Sequence, residues 1–156
     1  MREVFQQQLS EVQDRLVEIS EDVTRIMENA SQAFNTSDVA LADQAIALSE
    51  HVNEKALALD ELVIRILAKQ SPVARDLRVL VSALRISASL ERMGALAGHI
   101  AQIARYRFPG SAVPAALRDT FEEMGRIDIE LAKQCSKLLR NTDADFARTI
   151  QAEDAR

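Results

Sequence analysis

Leu9, Val12, Leu16, Ile19, Val23, Ile26, Ala30 and Ala33 recur at alternating steps of three and four, with Glu, Gln, Asp and Arg between them. This period predicts a one-sided amphipathic α-helix of roughly nine turns. It should end near Asn35, which suits a left-handed C-terminal position, with Ser37 as the next N-cap and Asp38 favouring the helix dipole. A second helix is predicted on Ala42, Ala45, Ser49, Val52, Ala56, Leu59, Val63 and Ile66. Small residues fill its first half and larger ones its second, so the bundle should narrow towards Asn35. Ser71 and Pro72 then read as an N-cap and a first-turn proline. No further proline occurs before Pro109, so a third long helix is predicted over Ser71–Tyr106. Its apolar seam is Val79, Ala83, Ile86, Leu90, Met93, Ala97, Ile100 and Ala104, with a second row at Leu77, Leu80, Leu84, Ala88 and Ala95. Two apolar flanks, with small residues at Ser82, Ser87, Ser89, Gly94 and Gly98, predict a central helix with close neighbours on more than one side.

The links Asn35–Ser37 and Lys69–Ser71 are short, so the three helices should run up, down, up. The fold class is therefore all-α: a long antiparallel three-helix bundle over residues 1–107, then a helical hairpin over residues 114–156. The break at Arg107–Pro114 holds Pro109, Gly110, Ser111 and Pro114. Helix four carries Leu117, Phe121, Met124, Ile127, Leu131, Cys135 and Leu138 on its predicted apolar face. Asn141-Thr142-Asp143 should form a turn and N-cap before a fifth helix at Phe146 and Ile150, echoing Asn35-Thr36-Ser37-Asp38. If the second unit repeats the first, the chain reads as cut short before that unit's own third helix. An incomplete repeat cannot bury its apolar face alone. Several large side chains left in water forgo about 1.5–3 kcal/mol each, so a homo-oligomer is expected.

Composition narrows the function classes. The 156 residues are about one domain in size, with four glycines, three prolines and no tryptophan. A net charge of −5 without a basic tail argues against a nucleic-acid partner. The lone Cys135 cannot form an internal disulfide and fits a small core residue in a reducing compartment. The N-terminus has no signal-peptide core, and Arg85 and Arg92 interrupt the longest apolar stretch, so membrane insertion is not expected. A cytoplasmic protein is the expectation.

Arg78, Arg85, Arg92 and His99 are spaced by seven and line one stripe that drifts only about 20° per heptad. Such a stripe is either a solvated face paired with acids of a neighbouring helix, or a strip that docks an anion or a partner. No Gly-rich phosphate loop, nucleophile elbow or Glu-x-x-His pair occurs, so no enzyme chemistry is indicated. His51 and His99 read as surface or hydrogen-bonded histidines.

The run Pro72-Val73-Ala74-Arg75-Asp76-Leu77-Arg78, with Leu90-Glu91-Arg92-Met93-Gly94-Ala95-Leu96-Ala97-Gly98-His99-Ile100-Ala101, resembles the PhoU family of phosphate-signalling regulators. The resemblance implies two tandem three-helix bundles, each with a Glu/Asp-x-x-x-Asp signature able to hold clusters of iron or other transition metals. It further implies a negative regulator that restrains a phosphate-sensing histidine kinase in concert with the ATPase subunit of a phosphate ABC importer. Glu91 matches the first signature acid, but Ala95 replaces the second, and Ser89 stands where many relatives carry Asp. One carboxylate is a poor ligand set, so the site is expected to hold no metal and no cofactor is expected. Glu91 should instead be neutralised by Arg65, Lys69 or Arg25. The competing class is a helical-bundle adaptor or scaffold without a phosphate role, which periodicity cannot separate from a PhoU-like regulator.

Overall fold

A computed structural model describes residues 2–141 and 144–154. Helices α1 (Arg2–Thr36), α2 (Val39–Gln70) and α3 (Ala74–Arg107) pack on one another. A single 3₁₀ turn (Ala115–Leu117) then leads into α4 (Arg118–Arg140), followed by α5 (Ala144–Asp154). The α1 seam from Val12 to Ala33 is buried as its period predicts, and so is the α2 seam apart from half-buried Ser49.

Both bundle links differ from the expected capping. Ser37 has φ 56° and lies in the left-handed region, while the Asp38 carboxylate caps α2 by accepting from the Leu41 N–H at 3.1 Å. Ser71, at φ 44°, likewise closes α2 instead of opening α3. Ser71 holds the left-handed conformation of a helix end, not the extended one of an N-cap, so it does not open the next helix. The next helix begins only at Ala74, after an extended Val73 whose side chain makes no cap bond.

The buried row of α3 is Leu80, Ala83, Ser87, Leu90, Gly94, Ala97, Ala101 and Ala104. Four positions of the expected seam are thus displaced by one residue: Val79 is 45% exposed, and Ile86, Met93 and Ile100 are only half-buried. Size decides this. A Cβ on Gly94 would lie 3.3 Å from Val52 Cγ1, and one on Gly98 would lie 2.7 Å from Ser49 Oγ and 3.0 Å from Ser49 Cβ. Small residues turn inward because α2 approaches too closely for large ones.

The central helix is α1, not α3. It alone packs against three long helices: α2, α3 and α4. It is not one-sided either, because Ser20, Asp22 and Thr24 are buried off the apolar seam. Ser20 Oγ donates to the Val17 carbonyl at 2.6 Å and lies 3.0 Å from Ser136 Oγ of α4. Thr24 Oγ1 donates to the Ser20 carbonyl at 2.9 Å. A polar row that satisfies itself locally can be buried as readily as an apolar one.

The break before α4 includes a cis Phe108–Pro109 peptide. It folds back on the first link, where Ser37 Oγ donates to the Gly110 carbonyl at 3.3 Å and Val113 is buried. Helix α4 then runs antiparallel to α1. Phe121 meets Phe34 at 5.5 Å between ring centroids, Lys133 pairs with Glu28 at 2.9 Å, and Arg140 pairs with Glu21. Gln13 Nε2 donates to the Leu139 carbonyl at 2.7 Å. Ala132 and Ser136 are the buried residues of α4, and Gly125 abuts Ser31. The predicted row of large residues is rotated aside: Met124 is 52% exposed, and Ile127, Leu131, Cys135 and Leu138 are half-buried. The hairpin is therefore not left without cover within the chain, since α4 uses α1. Helix α5 packs on α4, with Lys137 Nζ 5.0 Å from the centre of the Phe146 ring. The expected N-cap at Thr142–Asp143 lies outside the described residues.

Asp22, 1% exposed, anchors α1 to α2. Its carboxylate accepts from Lys55 Nζ at 2.6 Å and is also paired with Arg25, while Lys55 donates to Glu18 at 2.7 Å. Burial alone would lower the Lys55 pKa, but the hydrogen bonds to Asp22 and Glu18 outweigh it and raise the pKa above the usual 10.5. The folded state binds this proton more tightly than the unfolded one. The contribution is therefore complete below pH 10.5 and lost as the pH rises through the raised folded value.

Lys55→Ala is expected to cost about 3 kcal/mol in denaturant unfolding at neutral pH, because it strands a buried carboxylate that keeps only Arg25. The difference between this variant and the parent should shrink above pH 10.5. Gly98→Ala should also destabilise. Overpacking costs about 1–3 kcal/mol, which exceeds the roughly 1 kcal/mol gained in helix propensity. Adding Ser49→Ala should recover part of that loss in the same unfolding assay.

Candidate functional site

The outer side of α3 is set by its inner side. Counted in heptads from Leu80, Ser87, Gly94 and Ala101, the positions Arg78, Arg85, Arg92 and His99 fall diametrically opposite the buried row. All four are exposed, and none makes an ion pair among the described residues. The reading in which acids of a neighbouring helix pair with this stripe is thus not what the structure shows. One more step of seven from His99 reaches Tyr106, which is exposed. His99, Gln102, Ile103, Tyr106 and Arg107 border a shallow depression at that end. Leu96 and Ile103 flank the stripe and are also exposed. These three apolar or aromatic members went unread in the sequence. Only the step from His99 to Tyr106 signalled one of them.

Helix α3 has just two acids, Asp76 and Glu91, and both are half-buried rather than on the outer face. Glu91 makes no ion pair among the described residues. The expected neutralisation is not formed: Arg25 is engaged by Asp22, and neither Arg65 nor Lys69 reaches Glu91. The half-exposed position explains this, since water solvates the carboxylate that a fully buried site would leave uncompensated. Ser89 turns its hydroxyl back onto its own helix, donating to the Arg85 carbonyl at 3.0 Å. His51 Nδ1 lies 3.3 Å from Glu54 Oε2 on the surface of α2.

Away from α3, four titrating groups of α4 are shifted: the exposed Glu123 and Arg126 by hydrogen bonding to each other, and two more by burial. Burial, and then the charge of Asp154, push both the Cys135 thiol and the Asp128 carboxyl up. A raised thiol pKa is the opposite of an activated nucleophile, in keeping with Cys135 as a half-buried packing residue. The outer face of α3 is thus an exposed basic stripe flanked by exposed Leu96, Ile103 and Tyr106.

The PhoU domain matches residues 16–104, the span from α1 through nearly all of α3. The chain belongs to the PhoU family. It is 40% identical over 154 residues to phosphate-specific transport system accessory protein PhoU homolog 2 of Mycobacterium tuberculosis, covering 99% of this chain and 72% of that protein. It is 37% identical over 154 residues to PhoU homolog 1 of Mycobacterium leprae, covering 99% and 69%. The PhoU accessory protein of Escherichia coli K12 is 32% identical over 122 residues, covering 78% of this chain and 50% of that protein. No solved structure matches the chain.

The metal clusters associated with PhoU proteins do not fit these residues. Ala95 offers no donor, the Ser89 hydroxyl is engaged, and His99 is two turns from Glu91 on the outermost row. No three His, Cys, Asp or Glu side chains among the described residues are grouped to hold a metal ion. A single half-exposed carboxylate cannot meet the coordination demand of a hard cation.

Elemental analysis of the purified protein is expected to find no stoichiometric iron, zinc or manganese, and Glu91→Ala should leave metal content unchanged. Ala95→Asp, which places a second carboxylate one turn away, should raise affinity for a divalent or ferric ion in titration. One tightly held ion per unmodified chain, lost with Glu91→Ala, would overturn this assignment.

Proposed function

We propose that this chain is a cytoplasmic, non-enzymatic accessory regulator of phosphate uptake and phosphate-starvation signalling. It acts by protein–protein contacts with a phosphate-sensing histidine kinase and with the ATPase subunit of a phosphate ABC importer. Similarity over 99% of the chain to proteins named as phosphate-transport accessory proteins carries this reading. An unpaired basic face on α3 and inert titrating groups on α4 support contact over catalysis. No helix among the described residues is long and apolar enough to cross a membrane. Self-association belongs to the same proposal, with the exposed Leu117 and Met124 of the α4 region as the apolar contact.

Deleting the gene, in a strain without a compensating paralogue, should switch on starvation promoters while phosphate is plentiful. Unchanged reporter output would reject the regulatory role. Within that role, Arg85→Glu with Arg92→Glu should derepress the same reporter and leave the melting temperature within error, because both side chains are exposed and unpaired. A fall in melting temperature alone, with repression intact, would assign the stripe to stability.

A further inference from the structure

Helix α3 carries a second apolar row that the bundle does not use. Helices α2 and α3 contact only α1 and each other, so their shared outer side has no cover among the described elements. Their antiparallel register is fixed by Gly94 against Val52, Gly98 against Ser49, and Arg105 Nε bonded to Asp43 Oδ1 at 3.1 Å. Asp43 marks the edge of α2 that borders α3, and steps of seven from it pass exposed Glu50 and reach Leu57 and Ile64. These are 58% and 59% exposed. The register sets Ile64 level with Val81–Leu84 and Leu57 level with Ala88–Glu91.

On α3 the facing row runs Leu77, Val81, Leu84, Ala88, in steps of four, three and four, and its next step of three ends the apolar stretch at half-buried Glu91. Leu77 is 41% and Val81 39% exposed, Leu84 is half-buried, and Ala88 is exposed. That is a coiled-coil seam without a partner helix, placed along an apolar groove between α2 and α3. Exposed Leu57 and Ile64 on α2, beside exposed Leu77 and Val81 on α3, exceed the scattered apolar residues of an ordinary surface. Ala88 is small enough for a second helix to approach closely.

Charge selects the occupant. Arg78, Arg85 and Arg92 flank the seam one row outward, at its own seven-residue repeat. Helix α3 holds six arginines against Asp76 and Glu91, a net +4. The whole chain is −5, which leaves −9 on the remaining residues. An extended polyanion such as nucleic acid, or an anionic bilayer, would meet that acidic remainder along with the stripe. Glu54 and Glu61 of α2, exposed and also seven apart, stand on the far rim of the same groove. A narrow ligand that touches only the groove and the α3 rim avoids this repulsion.

We propose that the α2–α3 groove receives one amphipathic helix of a partner protein, with glutamate or aspartate at seven-residue intervals on the edge laid along Arg78, Arg85 and Arg92. This deepens the docking role given to the stripe above, and it rests on that role.

The probe is a fluorescent synthetic helix of about three heptads, leucine at its apolar seam, glutamate along one border and glutamine along the other. A second peptide keeps the seam and the glutamine and carries lysine in place of the glutamate border. By anisotropy, the full chain should bind the glutamate-bordered peptide about tenfold or more tightly than the lysine-bordered one, a ratio that shrinks as salt rises. Arg85→Glu with Arg92→Glu should invert the preference. Ile64→Asp, in the groove, should weaken binding about tenfold, whereas Leu96→Asp, on the opposite flank of α3, should not. Both substituted side chains are half or more exposed, and thermal melts check that each variant folds.

Equal binding of the two peptides, no binding of either, or equal loss from Ile64→Asp and Leu96→Asp would overturn the assignment. So would Arg85- and Arg92-dependent binding of anionic phospholipid vesicles in place of the peptide, or a concentration-dependent dimer abolished by those two substitutions. The starvation reporter separates this inference from the regulatory reading. Derepression by the arginine variant without peptide discrimination sinks only the helix partner. Peptide discrimination with unchanged reporter output on gene deletion sinks only the regulatory role.

Discussion

At Gly98 even a methyl group would fall 2.7 Å from Ser49 Oγ, and at Gly94 it would press on Val52, Ile26 and Val23 at 3.3–3.6 Å. The separation between α3 and its neighbours is therefore set by hydrogen atoms where other helix pairs place leucines. Everything on the far side of α3 follows from this contact. With its small residues turned inward, the heptad frame forces Arg78, Arg85, Arg92 and His99 outward and leaves Leu77 and Val81 half in water. The same device recurs where α4 meets α1, with Gly125 against Ser31 and Ser136 against Ser20. There too, the large apolar residues of the docking helix are displaced to its side.

This explains which parts of the molecule were legible in the sequence. The seams of α1 and α2 are apolar apart from Ser49, and their periods place the core residues from Val12 to Ala33 and from Ala42 to Ile66, though not the buried Ser20, Asp22, Thr24 and Leu62. In α3 the inner row alternates Leu80 and Leu90 with Ser87, Gly94 and Ala101. A reading weighted by hydrophobicity prefers Ile86, Met93 and Ile100, one residue away. The error is about 100° of helix rotation on one row, yet Ala83, Leu90, Ala97 and Ala104 are common to both readings, so the stripe still points outward. The links were misread for a related reason. Serine at Ser37 and Ser71 suggests an N-cap by type, but each chain reversal needs a left-handed residue and no glycine stands there.

Long-range pairings were beyond the reach of periodicity. Nothing in the spacing of Asp22 and Lys55 indicates that they meet, since they lie on different helices and Asp22 sits beside the apolar seam, not on it. Burial of Ser20 and Thr24 in turn reveals the second packed side of α1, against α4, while Asp22 lies on the other flank and meets α2. The sequence also suggested internal partners, as one of two readings for the arginines of α3 and as the expectation for Glu91. Such assignments presume that charges are neutralised within the fold. Solvent does that work for exposed groups, so unpaired charges at the surface cost little and remain free for contacts.

Ala95 connects the departure from the PhoU signature to the recognition surface. Position 95 lies one turn beyond Glu91 and next to the row of Arg92. An aspartate there would add a negative charge within reach of Arg92 and draw the guanidinium into an internal pair or towards a bound cation. Alanine leaves Arg92 free, raises the net charge of α3 by one, and keeps the surface smooth where another helix would lie. Six arginines and two acids give α3 a net charge of +4. With aspartate at 95 the helix would still carry +3 against the present +4, so alanine strengthens a basic face without changing its sign, and only salt screens that charge.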